Sequence, residues 1–222
     1  MRFRIDLKIF LFLLLFIVTK QIETYAWLML FAVLHELGHL IAGVCLKLKP
    51  DKLEIIPLGV SISFKLTTKD FNKKIKRGNW LEVKKLIVAI AGPLTNGLII
   101  LVAYFLPIAL VTKLMIVYTN LLIIFFNLLP IYPLDGGRIV KGILHIFLGL
   151  MVARKLTNEI AIISTIILTA VASIAILVYQ NIAIFMIVMY LWFLVIKENR
   201  IYREREKLYE RISSEEAGNS VS

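Results

Sequence analysis

Apolar residues recur in long runs from Phe10 to Ile196. Six runs of about 15 to 22 residues stand out, near the ~20 that a helix needs to cross ~30 Å of hydrocarbon. They cover residues 10–24, 25–46, 86–106, 114–131, 160–178 and 182–196, the first interrupted by Lys20 and Glu23. This pattern predicts an all-α polytopic membrane protein with about six transmembrane helices. Residues 1–196 form its membrane domain, with a core over 25–141. Residues 197–222 form a charged tail whose small, polar end, 213–222, is expected to be disordered. One short apolar region and a small-residue cleavage site would mark a secretory signal; that combination is missing, so the N-terminus is expected to be retained.

Between the second and third runs lie about 39 residues, too few for an inserted domain of usual size. Their first part, 53–64, has two β-favouring stretches around Pro57 and Gly59, with alternation in Val60, Ile62 and Phe64, and predicts a short hairpin. The second part, 65–85, is highly basic and is expected in water or against headgroups. After the fourth run, Pro130, Pro133 and the Gly136-Gly137 pair break the helix close to the membrane. Residues 138–150 then read as a short interfacial helix.

Composition supports the membrane assignment: 59% of the 222 residues are hydrophobic and the mean hydropathy is +0.85. The single Cys45 cannot form an internal disulfide. A net charge of +11 and a pI of 9.8 would suit nucleic acid in a soluble chain. Here, with the N-terminus in the cytoplasm, 24 of the 26 basic residues fall in cytoplasmic segments and only Lys20 and Lys113 fall outside. The positive-inside rule asks for this asymmetry. The charge is therefore read as orientation and contact with anionic lipid, with no nucleic-acid partner. The expected location is a bacterial cell membrane with both termini cytoplasmic.

The second run contains His35-Glu36-Leu37-Gly38-His39, an HExxH pattern on a helix. Residues four apart share a helical face, so both imidazoles can converge on one Zn²⁺ while Glu36 serves as general base. Three ionisable groups within five residues of a membrane span are costly, which argues for function. A helix-packing His pair is the bland alternative, but two of the chain's three histidines stand at metal spacing. Catalytic zinc usually takes three protein ligands, and Asp135 in the Pro/Gly-rich break is the best candidate for the third. Non-helical backbone at membrane depth is tolerated only where it is buried in protein or lines a watery cavity. His145 reads as a surface or packing residue. Trp27, Tyr190 and Trp192 read as bilayer anchors. Asn96 is either hydrogen-bonding support for the site or polar glue between helices.

These motifs, with Ala91-Gly92-Pro93-Leu94-Thr95-Asn96 and Asn127…Pro133-Leu134-Asp135-Gly136-Gly137, resemble the site-2 protease family of intramembrane zinc metalloproteases, peptidase family M50. The likeness covers about residues 25–141. Six spans and a compact loop look most like the stage IV sporulation branch, which processes a sigma-factor precursor. The resemblance implies one Zn²⁺ per chain on His35, His39 and Asp135, with Glu36 as base, and a substrate groove shaped by Asn127, Pro130 and Pro133. It also implies that the hairpin accepts an extended substrate as an added strand. Members of the sporulation branch often carry a C-terminal nucleotide-sensing domain, whereas about 26 residues follow the sixth run here, so regulation by nucleotide is not expected; residues 47–85 are too short for the PDZ domain of the envelope-stress branch.

The expected activity is zinc-dependent cleavage of a membrane-associated precursor near the cytoplasmic face. The partners implied are that protein substrate, membrane regulatory or inhibitory proteins, the lipid bilayer and, as an open option, further copies of the chain in a homo-oligomer. The rival is a non-enzymatic zinc-binding membrane transporter or sensor. A transporter should continue ionisable groups along several spans, whereas the fifth and sixth runs hold none that fit.

Overall fold

The computed structural model describes residues 2–5, 22–56, 59–65, 75–179 and 182–219, with isolated positions 10, 13, 14, 17, 18 and 20. Six long helices are described: α1 (Ile22–Cys45), α2 (Ile75–Phe105), α3 (Leu110–Asn127), α4 (Asp135–Leu148), α5 (Leu150–Tyr179) and α6 (Ile182–Asn219). A small sheet of β1 (Arg2–Ile5), β2 (Lys49–Ile56) and β3 (Gly59–Lys65) accompanies them.

Four of the helices are long and apolar enough to cross a membrane: Ile22–Cys45, Trp80–Phe105, Leu110–Asn127 and Leu150–Val178. Their large apolar side chains point away from the protein; Phe105, Val111 and Leu177 are three-quarters exposed or more, as lipid-facing residues are. Lipid is as apolar as leucine, so helix association depends on close packing and polar contacts. Accordingly, the inward faces are built from small and polar residues: Ala32, His35, Gly38 and His39 on α1, and Ala89, Gly92, Asn96 and Ala103 on α2. Gly38 packs directly on Thr95, so any larger residue would push α1 and α2 apart.

Of the six expected spans, those at 25–46, 86–106 and 160–178 correspond to three of these helices, and 114–131 to the fourth as far as Asn127, its last four residues lying in the break. The first, at 10–24, falls largely outside the described residues. The sixth, at 182–196, is the opening of α6, which is not among the four. Instead of a disordered end, α6 continues in one helix to Asn219. The tail is rich in Glu, Arg and Lys, good helix formers that pair along a helix, as Arg200 Nε and Glu204 Oε1 do at 3.1 Å. Likewise α2 begins at Ile75, inside the stretch expected in water or against headgroups. There Lys85 pairs with Glu82 at 2.6 Å and Lys84 Nζ donates to Leu46 O at 3.0 Å.

The strands β2 and β3 pair antiparallel across the segment expected as a hairpin; Pro57 and Leu58 between them lie outside the described residues. Phe64 of β3 packs on Gly43 and joins Leu48, Leu81 and Val88, docking the sheet beneath the end of α1. The strand β1 runs parallel to β2, Arg2 opposite Lys52 and Ile5 opposite Ile55, a pairing that four residues of sequence do not announce.

The helix break is where expected. The chain leaves α3 at Asn127, makes tight turns from Leu129 N–H to Phe126 O and from Leu134 N–H to Ile131 O, and re-enters a helix at Asp135. Ile131 is fully buried with Ala161 of α5 and Val195 of α6, which pins the break to the bundle. The helix expected over 138–150 is α4, and it starts three residues earlier. Trp192 and Tyr190 differ from their expected anchoring role. The Trp192 indole donates to Thr169 Oγ1 at 2.9 Å across α5 and α6, and Tyr190 packs on Tyr25 of α1.

Candidate metal centre

His35 and His39 stand one turn apart on the inward face of α1 and are 3% and 2% exposed. Asp135 approaches from the opposite side as the first residue of α4, where the positive end of the helix favours a carboxylate. Its Oδ2 lies 2.9 Å from His35 Nε2 and 3.0 Å from His39 Nε2, and the two Nε2 atoms are 3.1 Å apart. Residues about one hundred positions apart thus present three metal-ligating atoms in one buried cluster.

The outer ring nitrogens determine what these atoms are. His39 Nδ1 lies 2.6 Å from Val88 O, and a carbonyl only accepts, so this nitrogen carries the proton. His35 Nδ1 lies 2.7 Å from Asn96 Oδ1. That amide is oriented by its own Nδ2, which donates to Asn120 Oδ1 at 2.8 Å. In its neutral form each imidazole therefore turns a bare Nε2 lone pair inward. Two such lone pairs and a carboxylate oxygen in a water-poor interior repel one another unless a cation lies among them. In a tetrahedral site with ligands at ~2.0–2.1 Å, neighbouring ligand atoms are roughly 3.3–3.4 Å apart, close to the separations here. Two nitrogens and one oxygen are also a donor set that zinc accepts, with a fourth position left open. The residues fit zinc.

Glu36, next to His35, is half-buried, and its Oε2 is buried with no hydrogen-bond partner among the described residues. Arg138 Nη1 stands 3.5 Å from the other oxygen of Asp135. Asn127 ends α3, half-buried, its amide donating to Ile123 O at 3.1 Å. Pro130 and Pro133 are half-buried in the break, and the Tyr132–Pro133 bond is cis. These three residues form no described hydrogen bond to the cluster. His145, half-buried, lies 3.4 Å from Glu82, away from the cluster, as the surface or packing role expected of it requires.

Sequence reasoning missed the part played by Gly92, quoted only within a motif, and missed Asn120 altogether. A Cβ on Gly92 would overlap His35 and His39, so α2 forms the wall of the site only because glycine stands there. Asn120 is completely buried behind Asn96. An amide in the middle of the apolar run 114–131, seven residues before Asn127 near its end, is the signal that could have found it.

A buried His-His-Asp cluster that could hold a metal ion thus lies between helices long enough to cross a membrane. The family model for peptidase family M50 matches residues 108–171, which include Asp135 but not the HExxH helix. The fold is similar to a solved structure described as a site-2 protease from Methanocaldococcus jannaschii, with a TM-score of 0.61 and 23% identity over 87% of this chain and 88% of that one. No curated protein matches the chain. Residues 108–171 thus resemble the M50 peptidases, and the fold is that of a site-2 protease structure.

Proposed function

We propose that this protein hydrolyses a peptide bond in or beside the membrane segment of a precursor protein, with His35, His39 and Asp135 holding zinc and Glu36 as the general base. The observation that carries this reading is the convergence of two imidazole Nε2 atoms and a buried carboxylate oxygen, with Glu36, whose Oε2 has no hydrogen-bond partner among the described residues, next to them in sequence. Zinc bound there supplies a lowered water pKa and polarises the scissile carbonyl. Glu36 takes the proton from the attacking water and returns it to the leaving amine. The helices around the cluster keep bulk water away, and the break at 128–134 gives the extended backbone a path that a continuous helix would close.

The substrate must present its cleavage site unwound, because helical peptide bonds are already satisfied. The β2–β3 pair offers backbone for strand addition, and Asn127, Pro130 and Pro133 shape the groove beside it. The basic asymmetry of the loops puts the site toward the cytoplasm, so the released product is cytoplasmic. We infer a membrane-tethered precursor of a cytoplasmic regulator; a sporulation sigma-factor precursor is the specific substrate that the sequence resemblance suggests. The test is co-expression with membrane-tethered candidate precursors, comparing the intact chain with Glu36→Gln. Cleavage by the former and none by the latter is expected, and equal cleavage by both removes the mechanism.

A further inference from the structure

Among the described residues Asn120 forms no hydrogen bond to the three converging ligand atoms or to Glu36, yet it is fully buried, as is Asn96 beside it. A directional chain of hydrogen bonds runs through the pair. Asn120 Nδ2 donates to Ile116 O at 2.8 Å, Asn96 Nδ2 donates to Asn120 Oδ1 at 2.8 Å, and His35 Nδ1 donates to Asn96 Oδ1 at 2.7 Å. The direction is fixed at its far end, because the Ile116 carbonyl can only accept. Each amide is thereby held in one of its two orientations, and the last link sets the tautomer of His35.

His39 needs no such device, since Val88 O fixes its Nδ1 directly. His35 depends on a side-chain amide, which can turn over. A reversed Asn96 would offer its NH₂ group to His35 Nδ1 and stabilise the tautomer with the proton on Nε2. That proton would point among the ligand atoms, 2.9 Å from Asp135 Oδ2 and 3.1 Å from His39 Nε2, where a cation belongs.

We propose that Asn120 is a positioning residue for zinc: through Asn96 it holds His35 in the tautomer that leaves Nε2 free to bind metal. The metal arm of the test rests on the zinc reading above; the tautomer arm does not. Only three histidines occur in the chain, so their ring nitrogens are separable by ¹⁵N NMR of the purified, metal-stripped protein in detergent. In the native chain His35 should show the proton on Nδ1. Asn120→Ala should shift it toward Nε2 and weaken zinc binding, read by competition with a chromogenic chelator. The loss should be roughly 10-fold, the lower end of what removing a metal ligand's hydrogen-bond partner costs.

Asn120→Asp keeps the acceptor that Asn96 needs and should hold both the tautomer and the affinity near native. In an Asn96→Asp background both oxygens accept from His35 without help, so Asn120→Ala should cost nothing further. An unchanged tautomer in Asn120→Ala would overturn the proposal. So would an equal loss in the Asn96→Asp background or in Asn120→Asp, which would mark Asn120 as helix packing only. A native chain that binds no zinc yet shows the predicted tautomer shift would sink the proposed function and leave the relay standing.

Discussion

His39 Nδ1 and the Val88 carbonyl oxygen lie 2.6 Å apart, joining α1 to α2 through a hydrogen bond whose direction admits no alternative. The bond turns the Nε2 lone pair of His39 toward His35 and Asp135. It works only because the two helices run close together there, and that closeness depends on glycine.

Gly92→Ala should abolish metal binding, because the added methyl overlaps both imidazoles. Overpacking of this kind costs about 1–3 kcal/mol, or the rings swing away and the ligand set is lost. Gly97 on the same helix has open space where a Cβ would stand. Gly97→Ala should therefore keep zinc and gain about 0.5–1 kcal/mol from the better helix former. Zinc content and thermal stability of the two variants, measured side by side, check the contrast.

Ile131→Ala should lower stability and activity together while every proposed ligand is still present. Ile131 is wholly buried against Ala161 and Val195, and the cavity left by such a truncation typically costs about 2–5 kcal/mol. It stands four residues before Asp135 in the break, so relaxation there displaces the carboxylate. Cleavage of a membrane-tethered precursor should fall by more than tenfold, with a lower Tm in detergent. Native cleavage in a destabilised Ile131→Ala would show that the break does not position Asp135.

Most of this site was legible in the sequence, for a physical reason. His35, Glu36 and His39 lie within five residues, where helical geometry alone fixes their relation, and charge in a membrane span is too costly to overlook. Asp135 stood out because Pro130, Pro133, Gly136 and Gly137 mark a break that a membrane tolerates only inside protein. What stayed hidden depends on contacts between distant segments. Gly92 and Asn120 matter for what lies opposite them, and the parallel pairing of Arg2–Ile5 with Lys52–Ile55 leaves no local trace. The continuation of α6 to Asn219 was missed because a tail of mixed charge reads equally as solvated coil or as a helix laced with ion pairs.

Orientation is tested with cysteines in a Cys45→Ser background. Cysteine at Lys207, exposed on α6, should be shielded from an impermeant thiol reagent in intact cells. At Ala109, exposed between α2 and α3, it should be labelled. The reverse pattern would place the basic segments outside, against the positive-inside asymmetry, and with them the released product.

The most direct test of the central claim is the zinc content per chain of the purified native protein, Asp135→Ala and Glu36→Gln, measured by atomic spectrometry after identical dialysis. One zinc per chain in the native protein and in Glu36→Gln, with a clear deficit in Asp135→Ala, is the expected pattern. Full zinc in Asp135→Ala, or none in the native chain, would contradict the account.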